Sequence, residues 1–462
     1  MTDPASAIEA LELTARGPCT TMVTKMLEVG YKPGSEPLLT MILQTVRASK
    51  LMDLRTKAKI FIPQGRCMMG CLDEYGILNY GQVFIQYSSG KGKGETEKTT
   101  VVETRVVVTK NPCLHPGDIR VLQAVDVPAL HHMVDCVVFP QKGKRPHSNE
   151  CSGSDLDGDL YFVSWDPDLI PPRRFPPQDY TPSRREDLDH EVTIEEVQEF
   201  FVDYLLNNNL GVICSAHTVQ ADRERKKAES GKCIELAKLA SRAVDFTKTG
   251  VPADVPPYLR PTMYPDFMEK TNKETYISRQ VLGQLFRAVR DIPCDVFPFT
   301  KEVAERSYDR EMEVEGFQEF VHEASELKKE YDNQLASLMN YYGIDTEAEV
   351  ISGCILKTKK SFDRRKDRDD ILLAMGALKK QVCGWFDDIT RSPHGGTSDW
   401  AEKKASSWYY VTYHPKFWDQ YDDGSPGTGD HFLSFPWCVY EHLLKIKRGK
   451  AAWFRLAKLT FG

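Results

Sequence analysis

A short acidic stretch limits the possible folds of this chain more than any other part of its sequence. Asp155, Asp157 and Asp159 occupy alternate positions, and an apolar run from Leu160 to Trp165 follows them directly. The run has the residue types of a buried strand. Three negative charges within five residues repel one another and are typically found beside a cation. Gly158 permits a sharp turn that would gather the carboxylates. The sequence therefore predicts a metal-binding loop fixed to the start of a strand.

Carboxylate oxygens are hard ligands that suit Mg²⁺, with waters or substrate phosphates completing its coordination. Three other interpretations compete with this one. An acidic surface turn is the simplest of them. A calcium loop of the EF-hand type is rejected, because it needs Gly at its sixth position and Glu at its twelfth. Counting from Asp155, those positions hold Leu160 and Asp166. A generic two-metal nuclease or phosphatase site remains open, since acidic residues alone are equally compatible with it.

The whole chain has the composition of a soluble globular protein. Its 462 residues allow two to four domains. No apolar run of about 18 residues and no signal peptide is present, so we expect no membrane span. The 12 scattered cysteines indicate reduced thiols in an intracellular protein, with nucleus and cytoplasm both open. The net charge of −7 argues against a surface that binds polyanions everywhere, although a nucleic-acid enzyme needs only local positive charge.

The spacing of apolar residues divides the chain into three segments. Residues 1–56 are predicted to be a helical connector, whose clearest helix starts at Glu36-Pro37. Residues 57–170 are predicted to form a barrel or sandwich, and residues 171–462 a mainly helical region that opens with a capping box of Thr193 and Glu196. The predicted strands of the middle segment are Ala58–Ile62, Cys67–Leu72, Gln82–Tyr87, Val101–Thr109, Ile119–Val125, Asp135–Phe139 and Leu160–Trp165.

A basic segment lies a short way upstream of the aspartates. It contains Lys142, Lys144 and Arg145. On its own, such a segment is more often a solvated loop than a binding site. Beside three carboxylates it has a physical use, because Lys and Arg can neutralise the phosphates of a nucleotide or of a nucleic-acid backbone. We therefore treat these three residues as candidate phosphate contacts.

Further motifs occur on both sides of the aspartates. They are Lys59–Pro63, Met69–Glu74, Leu78–Phe84, Lys110–Arg120, Cys136–Pro140, Arg145–His147, Leu210–Ile213 with His217, Val244–Gly250 and Phe435–Cys438. Together with Ser152–Asp159, they resemble the eukaryotic cellular RNA-dependent RNA polymerases of gene silencing, and most nearly the plant branch. The motifs are spread over most of the chain. Their combination is far more specific than the acidic motif alone.

The resemblance implies a fold, an activity and a set of ligands. The implied fold is α+β, with a double-psi β-barrel that carries the metal loop. The implied reaction is nucleotidyl transfer from nucleoside triphosphates on a single-stranded RNA template to give double-stranded RNA, in small-interfering-RNA production and antiviral silencing. Asp155, Asp157 and Asp159 would hold one Mg²⁺, and a second would arrive with the nucleotide in a two-metal scheme.

One departure from the family pattern affects the expected activity. Family members place two barrels in one chain, and the first, N-terminal barrel contributes basic residues to the site. Only one barrel is predicted in this sequence, at about 57–170. We therefore expect the C-terminal part of a longer polymerase or a truncated gene product, with the upstream barrel as a possible partner. The alternatives are a catalytically silent RNA-binding fragment and, ranked last, a metal-dependent nuclease.

Overall fold

A computed structural model describes residues 3–14, 18–88, 98–181, 189–206, 209–293, 301–356, 364–388, 400–420 and 431–461. The chain forms two compact units. One is Ile62–Gln284, and the other combines Met1–Phe61 with Leu285–Gly462. The first and last parts of the chain therefore belong to the same unit. The division into functional segments at residues 56 and 170 stays a prediction.

Strands occur only in the unit Ile62–Gln284 among the residues that the structure describes. They are β1 (Gly65–Leu72), β2 (Gln82–Ser88), β3 (Thr99–Val101), β4 (Arg105–Lys110), β5 (Arg120–Ala124), β6 (Cys136–Phe139), β7 (Leu160–Ser164), β8 (Met263–Pro265) and β9 (Glu274–Tyr276).

Helices account for most of the remaining described chain. They are α1 (Pro4–Thr14), α2 (Pro18–Val29), α3 (Pro37–Lys57), α4 (Ile194–Leu206), α5 (Leu210–Arg223), α6 (Gly231–Val244), α7 (Phe246–Thr249), α8 (Val281–Arg290), α9 (Lys301–Ser307), α10 (Val321–Tyr342), α11 (Glu347–Ser352), α12 (Arg364–Asp387), α13 (Trp400–Tyr413) and α14 (Tyr440–Phe461).

Six strands close into a barrel. Hydrogen-bonded neighbours follow the order β2, β5, β4, β7, β1 and β6, and β6 pairs back to β2. The pairs β1–β6 and β2–β5 are parallel, and the other four pairs are antiparallel. Closure leaves no open edge on these six strands. The mixed barrel with helical flanking regions confirms the predicted α+β fold.

The barrel interior is filled by side chains from alternate positions of its strands. Because successive residues of a strand point to opposite faces, each strand contributes every second side chain to this core. The core is mainly β-branched and aromatic, as the sequence of the strands indicates. Its buried members include Val83, Ile85, Val106, Val108, Val137, Tyr161 and Val163.

Strand β7 directly follows the acidic loop, so its neighbours in the barrel determine which residues lie beside the loop. It lies between β4 and β1, antiparallel to both. At its start, Tyr161 is opposite Lys110 of β4, and Leu160 is opposite Met69 of β1. The last residue of β4 is therefore held beside the segment that enters β7.

The helical unit has its own apolar core. The face of α3 that contains Leu38, Leu39, Ile42 and Val46 is buried, as its helical spacing predicts. It shares this core with aromatic side chains of the C-terminal part of the same unit, including Trp408, Tyr413 and Trp437. In the other unit, the predicted capping box also forms: the Thr193 N–H donates to the Glu196 carboxylate at 2.8 Å.

Two strand predictions were wrong. The segment Ala58–Ile62 is not a strand, because α3 extends to Lys57 and Ala58 ends it with a left-handed φ of 50°. Ile60 and Phe61 are then exposed and pair with no neighbouring strand. The segment Val101–Thr109 is two strands instead of one. Strand β3 pairs with β2, whereas β4 pairs with β5 and β7, so the chain must leave one ladder before it joins the other.

None of the helices in the described ranges combines the length and the apolar composition needed to cross a bilayer.

Candidate metal centre

The three predicted aspartates lie in the loop that enters β7. Asp155, Asp157 and Asp159 each place one carboxylate oxygen within 4.8 Å of the corresponding oxygens of the other two. Gly158 has a φ of +123°, a region that L-residues rarely adopt, and it supplies the turn between the last two aspartates. Asp155 and Asp157 are exposed, and Asp159 is half-buried. The structure therefore gathers all three carboxylates at one point.

Tyr161 fixes this loop to the barrel. Its fully buried side chain donates a hydrogen bond from the hydroxyl to the carbonyl oxygen of Asp155, at 2.7 Å. The Ser154 hydroxyl lies 2.8 Å from the same hydroxyl group. The Tyr161 ring packs directly on Gly70 of β1, where an added Cβ would lie 2.4 Å from the ring. Gly70 also donates its N–H to the carbonyl oxygen of Asp159, at 3.1 Å.

The carboxylates influence one another electrostatically. A hydrogen bond with Asp155, together with the negative charges of Asp155 and Asp159, raises the pKa of Asp157 above its usual range. A cation at this point would remove the repulsion. Three convergent carboxylate oxygens, two of them on exposed residues, fit a hard divalent cation that keeps further positions for water or phosphate. The loop is thus a candidate metal site.

Lys110 is a site residue that the sequence analysis missed. Its ammonium forms an ion pair with Oδ2 of Asp159. Both side chains are largely shielded, with 27% and 20% of their surface exposed. Lys110 opens the motif Lys110–Arg120, which is the one sequence signal that pointed to it. Its partner is 49 residues away, so the contact became visible only when β4 and β7 were paired.

The predicted phosphate contacts lie close to the loop in sequence but outside its cavity. Lys142 and Lys144 are exposed, and the Lys142 ammonium donates to Asn79 Oδ1 at 3.2 Å. The Arg145 guanidinium donates to Asn149 Oδ1 and to the carbonyl oxygen of Gln178, at 2.7 Å each. None of the three basic residues lines the cavity beside the aspartates. Their contact with phosphate stays a prediction, and Arg145 has a structural task in holding two loops together.

The aspartates open onto a cavity of about 580 Å³. One wall is formed by the acidic loop with Lys110 and Tyr180. A second wall comes from α5, α6 and the residues that follow α6. On α6 the lining residues recur at intervals of three or four, which places them on one face of the helix. The residues of this second wall include Leu210, Cys214, Ala237, Ala240, Ser241, Val244 and Asp245.

A buried carboxylate supports the loop from the side. Asp118 is fully buried and accepts hydrogen bonds from the hydroxyls of Tyr180 and, at 3.2 Å, Ser152. Burial raises the pKa of Asp118, although these hydrogen bonds partly offset it. The Tyr180 ring also packs against Gly153, where a Cβ would lie 2.8 Å from the ring. Asp118 thereby ties the residues just before the aspartates to the segment that follows the barrel.

A second buried network holds the basic segment. The Gly81 N–H donates to Nε2 of His147 at 2.9 Å, which assigns the ring proton to Nδ1. Nδ1 then donates to Glu150 at 2.6 Å. Glu150 also accepts from the Tyr80 hydroxyl at 2.7 Å and lies 3.1 Å from Arg120. Burial opposes ionisation of Glu150, but His147, Tyr80 and Arg120 together lower its pKa.

Comparisons with known proteins place the chain in a family. Residues 1–289 match the family described as RNA dependent RNA polymerase, and residues 307–455 match the family described as RdRP, head domain. The chain is 56% identical over 448 residues to the probable RNA-dependent RNA polymerase 1 of Oryza sativa subsp. japonica, with coverage of 97% of this chain. It is 53% identical over 451 residues to RNA-dependent RNA polymerase 1 of Arabidopsis thaliana, again over 97% of this chain.

The chain spans 60% of the length of the rice relative and 40% of the length of the Arabidopsis relative. Among solved structures, the RNA dependent RNA polymerase QDE-1 from Thielavia terrestris aligns with a TM-score of 0.45 and 18% identity, over 98% of this chain and 51% of that chain. The sequence matches confirm the predicted resemblance, including its plant branch. The chain belongs to the RNA-dependent RNA polymerase family.

Proposed function

We propose that this chain carries the catalytic centre of an RNA-directed RNA polymerase. The reaction is nucleotidyl transfer from nucleoside triphosphates to a growing strand on a single-stranded RNA template, which yields double-stranded RNA. One observation carries the proposal: in a member of this family, Asp155, Asp157 and Asp159 converge within 4.8 Å on a loop anchored in a closed barrel.

We assign Mg²⁺ as the ion, because every candidate ligand is a carboxylate oxygen and the site is open to phosphate oxygens. Asp155, Asp157 and Asp159 would hold it. When bound, Mg²⁺ supplies charge that favours ionisation of the attacking 3′-hydroxyl and stabilises the leaving pyrophosphate.

The chain's own residues supply positioning and charge. The barrel presents the aspartates on one wall of a cavity whose volume of about 580 Å³ is within the range of small-molecule sites. The small residues Ala237 and Ala240 on the second wall leave space for a substrate. The exposed Lys142 and Lys144, with Arg145 as a further candidate, would contact phosphates of the nucleotide or of RNA. Such positioning provides much of the rate enhancement in phosphoryl transfer.

The wider role follows from the family resemblance. We place the double-stranded product in RNA silencing, small-interfering-RNA production and antiviral defence, in the nucleus or the cytoplasm. The eleven cysteines that the structure describes are free thiols, which supports a reducing compartment. The upstream barrel of the same polymerase is the proposed partner within the active enzyme.

A catalytically silent RNA-binding fragment is the second candidate. Two observations favour it: the described residues contain a single barrel, and the chain spans 60% and 40% of the two relatives' lengths.

A primer-extension assay on the 462-residue protein, with Mg²⁺ and labelled nucleotides, separates the candidates. Incorporation of label supports a self-sufficient polymerase. If the chain binds RNA without incorporation, and incorporation begins once the upstream barrel is added, the chain is a catalytic part that needs this partner. RNA binding that no addition converts into incorporation supports the silent fragment. Degradation of single-stranded RNA without nucleotides would contradict both candidates and indicate a nuclease.

A further inference from the structure

The structure pairs one carboxylate of the metal site with a lysine from a neighbouring strand. The Lys110 ammonium contacts Oδ2 of Asp159. Because Lys110 is opposite Tyr161 in the β4–β7 pair, the register of the barrel sets this contact. A barrel strand is a rigid support, so the ammonium is held at the carboxylates by the fold and does not reach them from a surface loop.

The position of Lys110 conflicts with full loading of the site. Oδ2 of Asp159 already accepts the Lys110 ammonium and the backbone N–H of Asp155, the latter at 3.3 Å. The ionised carboxylate keeps further lone pairs that a metal ion could use, but two cations that share one carboxylate repel each other. Only 27% of the Lys110 side chain is exposed. The ammonium and a metal ion are therefore competitors for Asp159.

Lys110 also lines the cavity that the aspartates open onto. An ammonium that leaves Asp159 stays within reach of this cavity, because the backbone of Lys110 is fixed at the end of β4. The phosphate groups of a nucleotide bound there are the strongest anionic partners that the cavity would contain. The same lysine thus has one partner before metal binding and a different partner after it.

We propose that Lys110 is the internal counter-ion of the aspartate site, that metal loading displaces it from Asp159, and that the displaced ammonium then binds the triphosphate of the incoming nucleotide. This inference rests on the proposed function. Lys110 is a positioning residue that couples metal binding to nucleotide binding, so that the nucleotide is bound tightly only at a loaded site.

Metal binding gives the first test, because the sign of the effect separates this role from a purely structural one. The affinity of the 462-residue chain for Mn²⁺ is measured by electron paramagnetic resonance of the unbound ion. Lys110→Met removes the competitor, so we expect Mn²⁺ to bind about fivefold more tightly. A structural ion pair that merely holds the loop would give the opposite result. Unchanged or weaker binding by Lys110→Met overturns the proposal.

Two further variants control for charge and for general effects. Lys110→Arg keeps the positive charge and is expected to bind Mn²⁺ as the wild type does. Tighter binding by this variant would show that charge is not the cause and would overturn the proposal. Lys270→Met removes an exposed cation that does not line the cavity, and it should leave the affinity unchanged. If Lys110→Met does not fold, Lys110→Gln replaces it with the same expectation.

Nucleotide binding tests the second half of the proposal. With saturating Mn²⁺, we expect Lys110→Met to bind a fluorescent GTP analogue about fivefold more weakly than the wild type. Equal affinity would overturn the release step. Both readouts are binding constants and need no polymerisation. Normal incorporation with no change in Mn²⁺ affinity refutes the role of Lys110 alone, whereas tighter Mn²⁺ binding with no incorporation under any condition refutes the proposed function alone.

Discussion

At the scale of single residues, the acidic loop brings together groups that repel one another. Asp155 and Asp159 raise the pKa of Asp157 above its usual range. A stable fold tolerates such a cluster when the cluster binds a ligand. Carboxylates with perturbed pKa values are concentrated at functional sites. Replacement of a single aspartate therefore separates its role in the fold from its role in chemistry.

We predict that Asp157→Asn lowers nucleotide incorporation by about 10³-fold while RNA binding is retained, because the substitution removes one negative charge from the metal-binding oxygens and preserves side-chain size. The assay uses the chain joined to the proposed upstream barrel, so that any requirement for that barrel is met. Asp168→Asn is the matched control, since Asp168 is exposed and lies outside the cavity. Wild-type incorporation by Asp157→Asn would contradict the assignment.

A second prediction at this scale concerns Gly70. A Cβ there would lie 2.4 Å from the Tyr161 ring and 2.9 Å from Leu156, so Gly70→Ala must displace the side chain that holds Asp155. We expect a loss of stability of about 1–3 kcal/mol in urea unfolding, together with weaker Mn²⁺ binding.

Gly211→Ala is the control for Gly70→Ala, because no atom lies within 4 Å of its added Cβ. It should be neutral or slightly stabilising, since alanine favours the helical conformation of α5. Equal effects of the two substitutions would show that the Gly70–Tyr161 contact does not support the loop.

At the scale of elements, helix α3 has an ionisable cap in an apolar environment. Glu36 caps its N-terminus and accepts a hydrogen bond from the Tyr413 hydroxyl. Burial raises the pKa of Glu36 to about 7. A carboxyl whose pKa is higher in the folded state binds more protons folded than unfolded between pH 4.5 and 7. Its contribution therefore stabilises the protein as the pH falls through this window.

We predict that Glu36→Gln removes this pH dependence. Relative to the variant, the wild type should gain on the order of 2 kcal/mol of unfolding free energy between pH 8 and pH 5. The difference between the two proteins is measured by urea unfolding at both pH values, so that contributions from other buried groups cancel. A constant difference across this range would show that Glu36 titrates near its ordinary value.

Local sequence patterns predicted most of the helices and strands correctly. They failed where strand formation depends on a neighbouring strand. The spacing of apolar residues predicted α3, and the run after the aspartates predicted β7. The segment Ala58–Ile62 has β-forming residues but no neighbouring strand, and the chain leaves α3 there without joining a sheet. Strand formation depends on pairing, which no short window of sequence contains.

At the scale of the whole molecule, the features that sequence reasoning could not supply are those that join distant segments. Barrel closure needs β2 to pair with β6, and the Lys110–Asp159 ion pair needs β4 beside β7. The three aspartates were found because they are adjacent in sequence. Lys110 was missed because its role depends on a residue 49 positions away.

Because the chain matches only part of each relative's length, catalysis and metal binding by this chain must be tested separately. It spans 60% of the rice protein and 40% of the Arabidopsis protein, so a complete catalytic cycle is a property to test in the joined polymerase. Metal binding is different. All three carboxylates lie on one loop of one barrel, and the site should load without any other chain.

The most direct measurement is therefore a crystal of this chain soaked in Mn²⁺, with anomalous diffraction recorded to locate the ion. We expect a peak about 2.1 Å from one oxygen of each of Asp155, Asp157 and Asp159, with the Lys110 ammonium withdrawn from Asp159. Side chains that point apart into solvent, with no peak between them at saturating Mn²⁺, would contradict the proposed metal site.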